Sequence, residues 1–304
     1  MQFGTGLPLV QQMPNQAPWE TGDDPRLIVA VAKKADELGY AWVSCSDHVV
    51  IPRRAVPSMG AHWYEPATTL SFLAACTERL RLLAHVIVLP YHSPLDVAKQ
   101  YATLDRLSGG RVILGVGVGH LRGEFQVLRA PYEERGPVAD EYIQIIKALW
   151  TEEEASFQGK YYQFHEVHLA PRPVQQPRPP IWVGGNSRRA ARRAVELGDG
   201  WVPFQVTFEE VQERLDYVRT LPAYEQRPTP LEVVVPAGAF DVLAEPIDGD
   251  RPRFSGSREQ ILDDIRAYQR LGVTGMSVGF RSRSLEEHLE KLERFAREIM
   301  PAFA

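Results

Sequence analysis

Asp47 and His48 stand side by side where an apolar run, Ala41–Ser46, comes to an end. Imidazole is the side chain that takes up and releases protons near neutral pH, and an adjoining carboxylate can orient it or balance its charge. The pair suits a proton-transfer site. It would equally serve as an Asp cap beside a histidine satisfied by its neighbour, and the two residues alone leave both readings open. A second candidate lies in Ile181–Phe204, where an apolar strand ends in Gly184-Gly185 and a helix opens at about Ser187. Glycines let an anion approach the backbone, and a helix N-terminus offers unpaired N–H groups and a positive dipole end. Taken by itself, a glycine pair is also a tight turn.

Other polar residues cluster around these two. Arg188 and Arg189 fall in the first turn of the helix and could meet an anionic group, whereas Arg192 and Arg193 read as a solvated outer face. Arg53 and Arg54 follow the Asp-His pair and are further candidates for the rim. His120 and Glu124 come directly after Gly115–Gly119; they either line a pocket or, in the case of Glu124, face solvent from a helix. The glycines are not a dinucleotide fingerprint, because His120 and Arg122 occupy the positions where a third glycine would fall. His165 and His168 flank Glu166, but a metal site needs another converging ligand. A hairpin with polar residues on one side accounts for them better, and no metal is expected.

These residues need a frame. Apolar or β-branched runs recur at Gln2–Gly6, Ala41–Ser46, Leu80–Val88, Arg111–Gly117, Pro180–Gly184, Gly200–Phe204, Leu231–Pro236 and Gly275–Gly279, most of them followed by a helical pattern. Eight alternating βα units predict an α/β fold, the (β/α)8 TIM barrel, as one domain over residues 1–304. Catalytic groups in such barrels project from strand C-termini, which is where Asp47, His48 and Gly184 fall. The phosphate-binding junction follows the fifth run, whereas barrels commonly place it after the seventh or eighth. Asp24 with Pro25 predicts a helix start closed by Gly39, and Ser257 with Gln260 and Ser284 with Glu287 fit reciprocal capping boxes. Two stretches break the rhythm, about 151–179 and 237–256, and both are expected to shape the mouth. The proline-rich Pro171–Pro180 reads as a rigid connector into the next strand.

Composition narrows the function classes. A net charge of -5 over 304 residues gives no basic footprint for nucleic acid. The first residues lack a charged, then apolar leader, and the run Leu82–Pro90 is too short to span a bilayer, so a soluble, cytoplasmic protein is expected. Cys45 and Cys76 lack CxxC spacing and read as reduced, buried thiols.

Taken together, Leu104-Asp105-Arg106-Leu107-Ser108-Gly109-Gly110-Arg111, then Gly115-x-Gly117-x-Gly119, then Pro180, Gly184-Gly185 and Asp199-Gly200-Trp201 resemble the luciferase-like monooxygenase family in motif and order. The resemblance runs from Phe3 to about Trp201. It implies that Gly184, Gly185, Asn186, Ser187 and Arg188 hold a cofactor phosphate. It also implies that Ala84, His85 and Val86 form a strand-three bulge, with a non-prolyl cis bond between His85 and Val86, supporting a flavin or deazaflavin ring. Members using the deazaflavin coenzyme F420 often carry an Asp-His pair here, which puts Asp47 near the ring and His48 near a small-molecule substrate. The reading is therefore an F420-dependent oxidoreductase transferring a hydride to or from a small organic substrate, with Asp47 and His48 catalytic and a homodimeric assembly. F420 carries an acidic glutamate tail, which Arg53, Arg54, Arg188 and Arg189 would favour over FMN. The alternative is an FMN-dependent monooxygenase using reduced flavin and oxygen. Glycoside hydrolysis by a carboxylate pair from Asp47, Glu65 or Glu124, and a non-catalytic flavin-binding barrel, are the remaining readings.

Overall fold

Short strands that are buried on both faces need a partner along each edge, and a parallel sheet meets this by closing on itself. The computed structural model describes residues 1–14 and 16–304. In it the eight strands are β1 (Gln2–Gly6), β2 (Trp42–Cys45), β3 (Arg81–Val88), β4 (Val112–Gly117), β5 (Ile181–Gly184), β6 (Gly200–Val202), β7 (Glu232–Ala239) and β8 (Gly275–Gly279). They pair in parallel in the order β1-β8-β7-β6-β5-β4-β3-β2, and β2 returns to β1 to close the barrel. The (β/α)8 expectation holds, with every strand starting within one residue of its expected position and β7 running three residues further than expected, to Ala239.

The helices used below are α1 (Arg26–Glu37), α2 (Pro66–Ala74), α3 (Pro94–Ser108), α4 (Arg122–Leu128), α5 (Arg135–Thr151), α6 (Arg188–Leu197), α7 (Phe208–Arg219), α8 (Arg258–Leu271) and α9 (Leu285–Glu298). Asp24 takes the Arg26 N–H at 3.0 Å, so α1 begins just beyond Pro25. Ser257 and Gln260 form the full reciprocal box on α8. On α9 only half of it forms: Ser284 accepts from the Glu287 N–H at 3.3 Å, while the Glu287 carboxylate reaches past the cap to the Arg283 N–H at 2.9 Å. Cys45 is buried, but Cys76 is half-exposed rather than buried. No described helix is long and apolar enough to cross a membrane.

Two indoles fill the lower half of the barrel. Trp42 and Trp182 meet edge to face with centroids 5.5 Å apart, in a cluster with Leu83, Ile113, Val202 and Val234. They fit because glycines face them. A Cβ on Gly4 would overlap the Trp42 indole, and one on Gly200 would lie 2.6 Å from Trp182 Cδ1. The upper half stays hollow and opens at the strand C-termini.

The LDRLSGGR segment works at the opposite end, below the strands. Arg111 is buried and donates to the Ala74, Leu80 and Ser108 carbonyls and the Thr77 hydroxyl at 2.7–3.0 Å, tying the ends of α2 and α3 together. Buried Asp105 accepts from the Val174 and Gln175 amides at 2.7 and 3.0 Å. That clasp corrects one expectation. The 151–179 segment follows a helix, not a strand, so it lies between α5 and the start of β5 and does not line the mouth. It contains a hairpin, Ala155–Gln158 with Gln163–Val167, whose tip is held by Glu141 of α5 through the Lys160 and Tyr161 amides. His168 faces Glu154 at 3.4 Å across its open end. The second insertion, 237–256, does follow a strand and sits at the mouth.

Replacing Arg111 by Ala leaves three buried carbonyls and a hydroxyl without their donor. The loss is about 3 kcal/mol of unfolding free energy, measurable by urea denaturation, and Lys recovers only part because it lacks the planar fork.

Candidate active site

Successive residues at a strand end point in opposite directions, and Asp47 and His48 accordingly make separate partnerships. Asp47 is 5% exposed and accepts from the Val88 N–H at 2.9 Å and from His92 Nε2 at 2.7 Å. His48 turns towards α4, where its Nδ1 donates to Glu124 Oε2 at 2.7 Å. Glu124 is fully buried and does not line the cavity: it faces neither solvent nor the pocket but stands behind His48. It also accepts from the Val49 and Val50 amides at 2.7 and 3.2 Å and from the Tyr91 hydroxyl at 3.1 Å. Burial alone would push its carboxyl up, but the His48 hydrogen bond and charge and the two amides hold it below the ordinary value of 4.5. Because Nδ1 is committed to Glu124, Nε2 is the His48 nitrogen left for a ligand. The imidazole packs against Trp63, centroids 4.4 Å apart, with His120 at 6.2 Å.

His92 is pulled two ways. Burial lowers its pKa, but the hydrogen bond and charge of Asp47, with Glu65 and Glu124 behind, raise it above 6.5. The His92 pair therefore stabilises fully below the unfolded imidazole value and fades as pH rises through the folded one. Ionised Glu124 acts in the reverse sense, stabilising above 4.5 and fading as pH falls through its own lowered value. Both are at full strength between 4.5 and 6.5.

The strand-three bulge is present. The β3 to β4 register shifts between Ala84 and Ile87, and the His85–Val86 peptide is cis. Glycines make room for it: a Cβ on Gly115 would run into the Ala84 carbonyl, and Cβ atoms on Gly117 and Gly184 would lie 2.6 Å from the two Val86 methyls. The Gly115–Gly119 series thus packs against the bulge and displays Val86 upward. His85 lies beside it, its pKa pushed down to about 4 by burial, so its imidazole is neutral at neutral pH.

Across the mouth, Gly185 takes a left-handed φ of 118° and its carbonyl accepts from Trp201 Nε1 at 2.8 Å. Ser187 caps α6 through the Ala190 N–H at 3.2 Å, and the amides of Arg188 and Arg189, ahead of the first intrahelical bond, have no helical acceptor. The Asn186 amide is occupied, bonding the Phe204 N–H at 2.8 Å and carbonyl at 2.6 Å. The Arg188 guanidinium is drawn outward to Glu213 at 2.8 Å and over the Tyr217 ring. Arg53, Arg54 and Arg189 are exposed and do not line the cavity.

What the elements enclose is a cavity of ≈ 520 Å³ bounded by Asp47, His48, Trp63 and Tyr91 on one side and Gly184, Gly185, Val202 and Phe204 on the other. Its floor is His85, Val86 and Val118, and His120 stands at its edge. An apolar shelf, the His48 Nε2 left over by the bond to Glu124 and a helix N-terminus at the far corner suit a planar ring with an anionic tail. They do not suit glycoside hydrolysis: Glu65 caps α2 through the Ala67 and Thr68 amides, and Glu124 is engaged by His48.

The family model described as luciferase-like monooxygenase matches residues 1–247. The chain belongs to the luciferase-like monooxygenase family. It is 27% identical over 289 residues to the FMNH2-dependent dimethylsulfone monooxygenase of Pseudomonas putida, covering 78% of each chain. Its fold matches a monooxygenase of Streptomyces bottropensis with a TM-score of 0.81 at 24% identity, over 100% of both chains. It also matches the coenzyme F420-dependent tetrahydromethanopterin reductase of Methanopyrus kandleri with a TM-score of 0.77 at 16% identity, over 100% of this chain and 99% of that one. As a luciferase-like protein it is an oxidoreductase of a family whose members work with reduced flavin or F420.

Trp63, Tyr91, His92 and Phe204 were missed in the sequence. Tyr91-His92 had a usable signal, since the pair comes within four residues of the end of a barrel strand, as Asp47-His48 does.

Asp47→Asn removes the charge that supports the His92 imidazolium while leaving its burial. The His92 pKa, followed by histidine NMR titration, is expected to fall from above to below 6.5.

Proposed function

We propose that this chain is an F420-dependent oxidoreductase acting on a small organic substrate, with His48 exchanging the proton that accompanies hydride transfer. The observation that carries this reading is the His48–Glu124 pair at 2.7 Å beside the cavity. A buried, ionised carboxylate that accepts from Nδ1 fixes the tautomer and the ring orientation, which leaves Nε2 to exchange a proton with a carbonyl or alcohol oxygen. The resemblance adds that F420 users of this family often carry the Asp-His pair.

The residues fit the cofactor. A cavity of ≈ 520 Å³ lies within the roughly 300–1,000 Å³ of ligand sites. Val86, Val118 and Phe204 would bound the ring and exclude water from it. Gly184, Gly185, Ser187 and the first amides of α6 would hold the phosphate, with Arg188 contributing backbone rather than charge. Asp47 and its partner His92 would keep the β2 and β3 ends at a fixed separation beneath the ring edge. When bound, the deazaflavin supplies or accepts the hydride. His48 holds the substrate oxygen, and Trp63 and His120 close the side from which substrate enters. The proposed assembly is a homodimer, as the resemblance to the family implies.

The second reading is an FMN-dependent monooxygenase, favoured by the FMNH2 dependence of the Pseudomonas putida relative. Fluorescence titration of the purified protein with F420 and FMN separates the two. F420 is expected to bind the more tightly, and tighter FMN binding would overturn the assignment. His48→Ala is expected to leave F420 affinity little changed while lowering turnover by about 10²–10⁴, and unaltered turnover removes His48 from the chemistry.

A further inference from the structure

Past Phe204 and Gln205, which form a common wall, the mouth holds a second cavity of ≈ 880 Å³ at the ends of β6, β7 and β8. Three cationic side chains line it. Arg253 lies over the Phe208 ring at 4.6 Å, with its nearest carboxylate, Glu209, at 3.8 Å. The Arg281 side chain is exposed and, among the described residues, makes no hydrogen bond or ion pair. Lys291 donates to the Arg281 carbonyl at 2.6 Å and stands 3.1 Å from Glu287. Glu209 and Asp241 are the opposing carboxylates in the lining. The lining therefore has one more cation than carboxylates, and both guanidinium groups have donors to spare.

The route into this cavity begins at the phosphate corner. Asn186 ties that corner to Phe204 by two hydrogen bonds, and Phe204 is 59% exposed at the boundary between the cavities. A chain leaving Ser187 thus passes over Phe204 and away from His48, Trp63 and His120, where substrate approaches. We infer that the second cavity receives the carboxylate-bearing tail of the deazaflavin, with Arg253 and Arg281 as its partners. This rests on the F420 reading above. The cationic partners are then Arg253 of the 237–256 segment and Arg281 after β8, in place of the expected Arg53, Arg54, Arg188 and Arg189.

The test compares F420 with its truncated form, which keeps the phosphate and lacks the glutamates, by fluorescence titration at low and high salt. Wild type is expected to bind the tailed form about tenfold more tightly at low salt, in line with a few partly exposed ion pairs, and to lose most of that preference at high salt. In the Arg253→Gln/Arg281→Gln double variant the preference falls to about one. The affinity for the truncated form is unchanged there, which also shows that the variant is folded. Equal binding of the two forms by wild type, or parallel weakening of both in the variant, overturns the inference while the F420 reading stands. Binding of FMN and of neither deazaflavin overturns both.

Discussion

The contact between Trp42 and Trp182 sets the dimensions of everything above it. An eight-stranded barrel has an interior just wide enough for side chains to fill, and an unfilled interior forfeits packing. Here two indoles occupy the lower layers because Gly4 and Gly200 withdraw their own side chains from the space. Smaller residues suffice higher up, and Val86 comes to rest on this plug as the shelf of the cavity. The barrel is solid at one end and receptive at the other through the distribution of volume along its strands.

Two carboxylates then organise the receptive end. Asp47 joins the end of β2 to β3 and His92, while Glu124 joins the loop after β2 to α4, His48 and Tyr91. Each is buried and accepts from donors on other elements, Glu124 through both oxygens and Asp47 through Oδ2, the condition under which a buried charge is tolerated. Burial raises the cost of ionising Glu124 and the hydrogen bonds more than recover it, so at neutral pH the imidazole beside it faces a negative neighbour.

The strands were legible because parallel strands buried on both faces read as unbroken apolar runs, and the caps because Ser257 and Gln260 sit at a fixed spacing. Asp47, His48 and the Gly184-Gly185 turn were legible as cavity-lining candidates, and the His85–Val86 cis bond only through family resemblance. What escaped depends on the third dimension. Whether Glu124 faces water or His48 rests on the path of a loop 75 residues away in sequence, and the outward swing of Arg188 rests on Glu213 of a later helix. The 151–179 segment looked like a mouth loop because its preceding helix, α5, hid the end of the barrel at which it begins. LDRLSGGR identified the family correctly while acting far from the chemistry, at the bottom of the molecule.

Glu124 holds more than a histidine. By gripping the Val49 and Val50 amides as well as His48, it welds the loop after β2 to α4, so that wall of the pocket behaves as one piece. The opposite wall is tied differently: Phe204 is held to Asn186 only through its own backbone N–H and carbonyl, and the 237–256 segment behind it is fastened by buried Asp264 through the Phe254 amide and Arg251. Adaptation to a larger or differently shaped substrate thus has an inherent direction: side chains near Phe204 can be exchanged one at a time, whereas the His48 side can change only as a set.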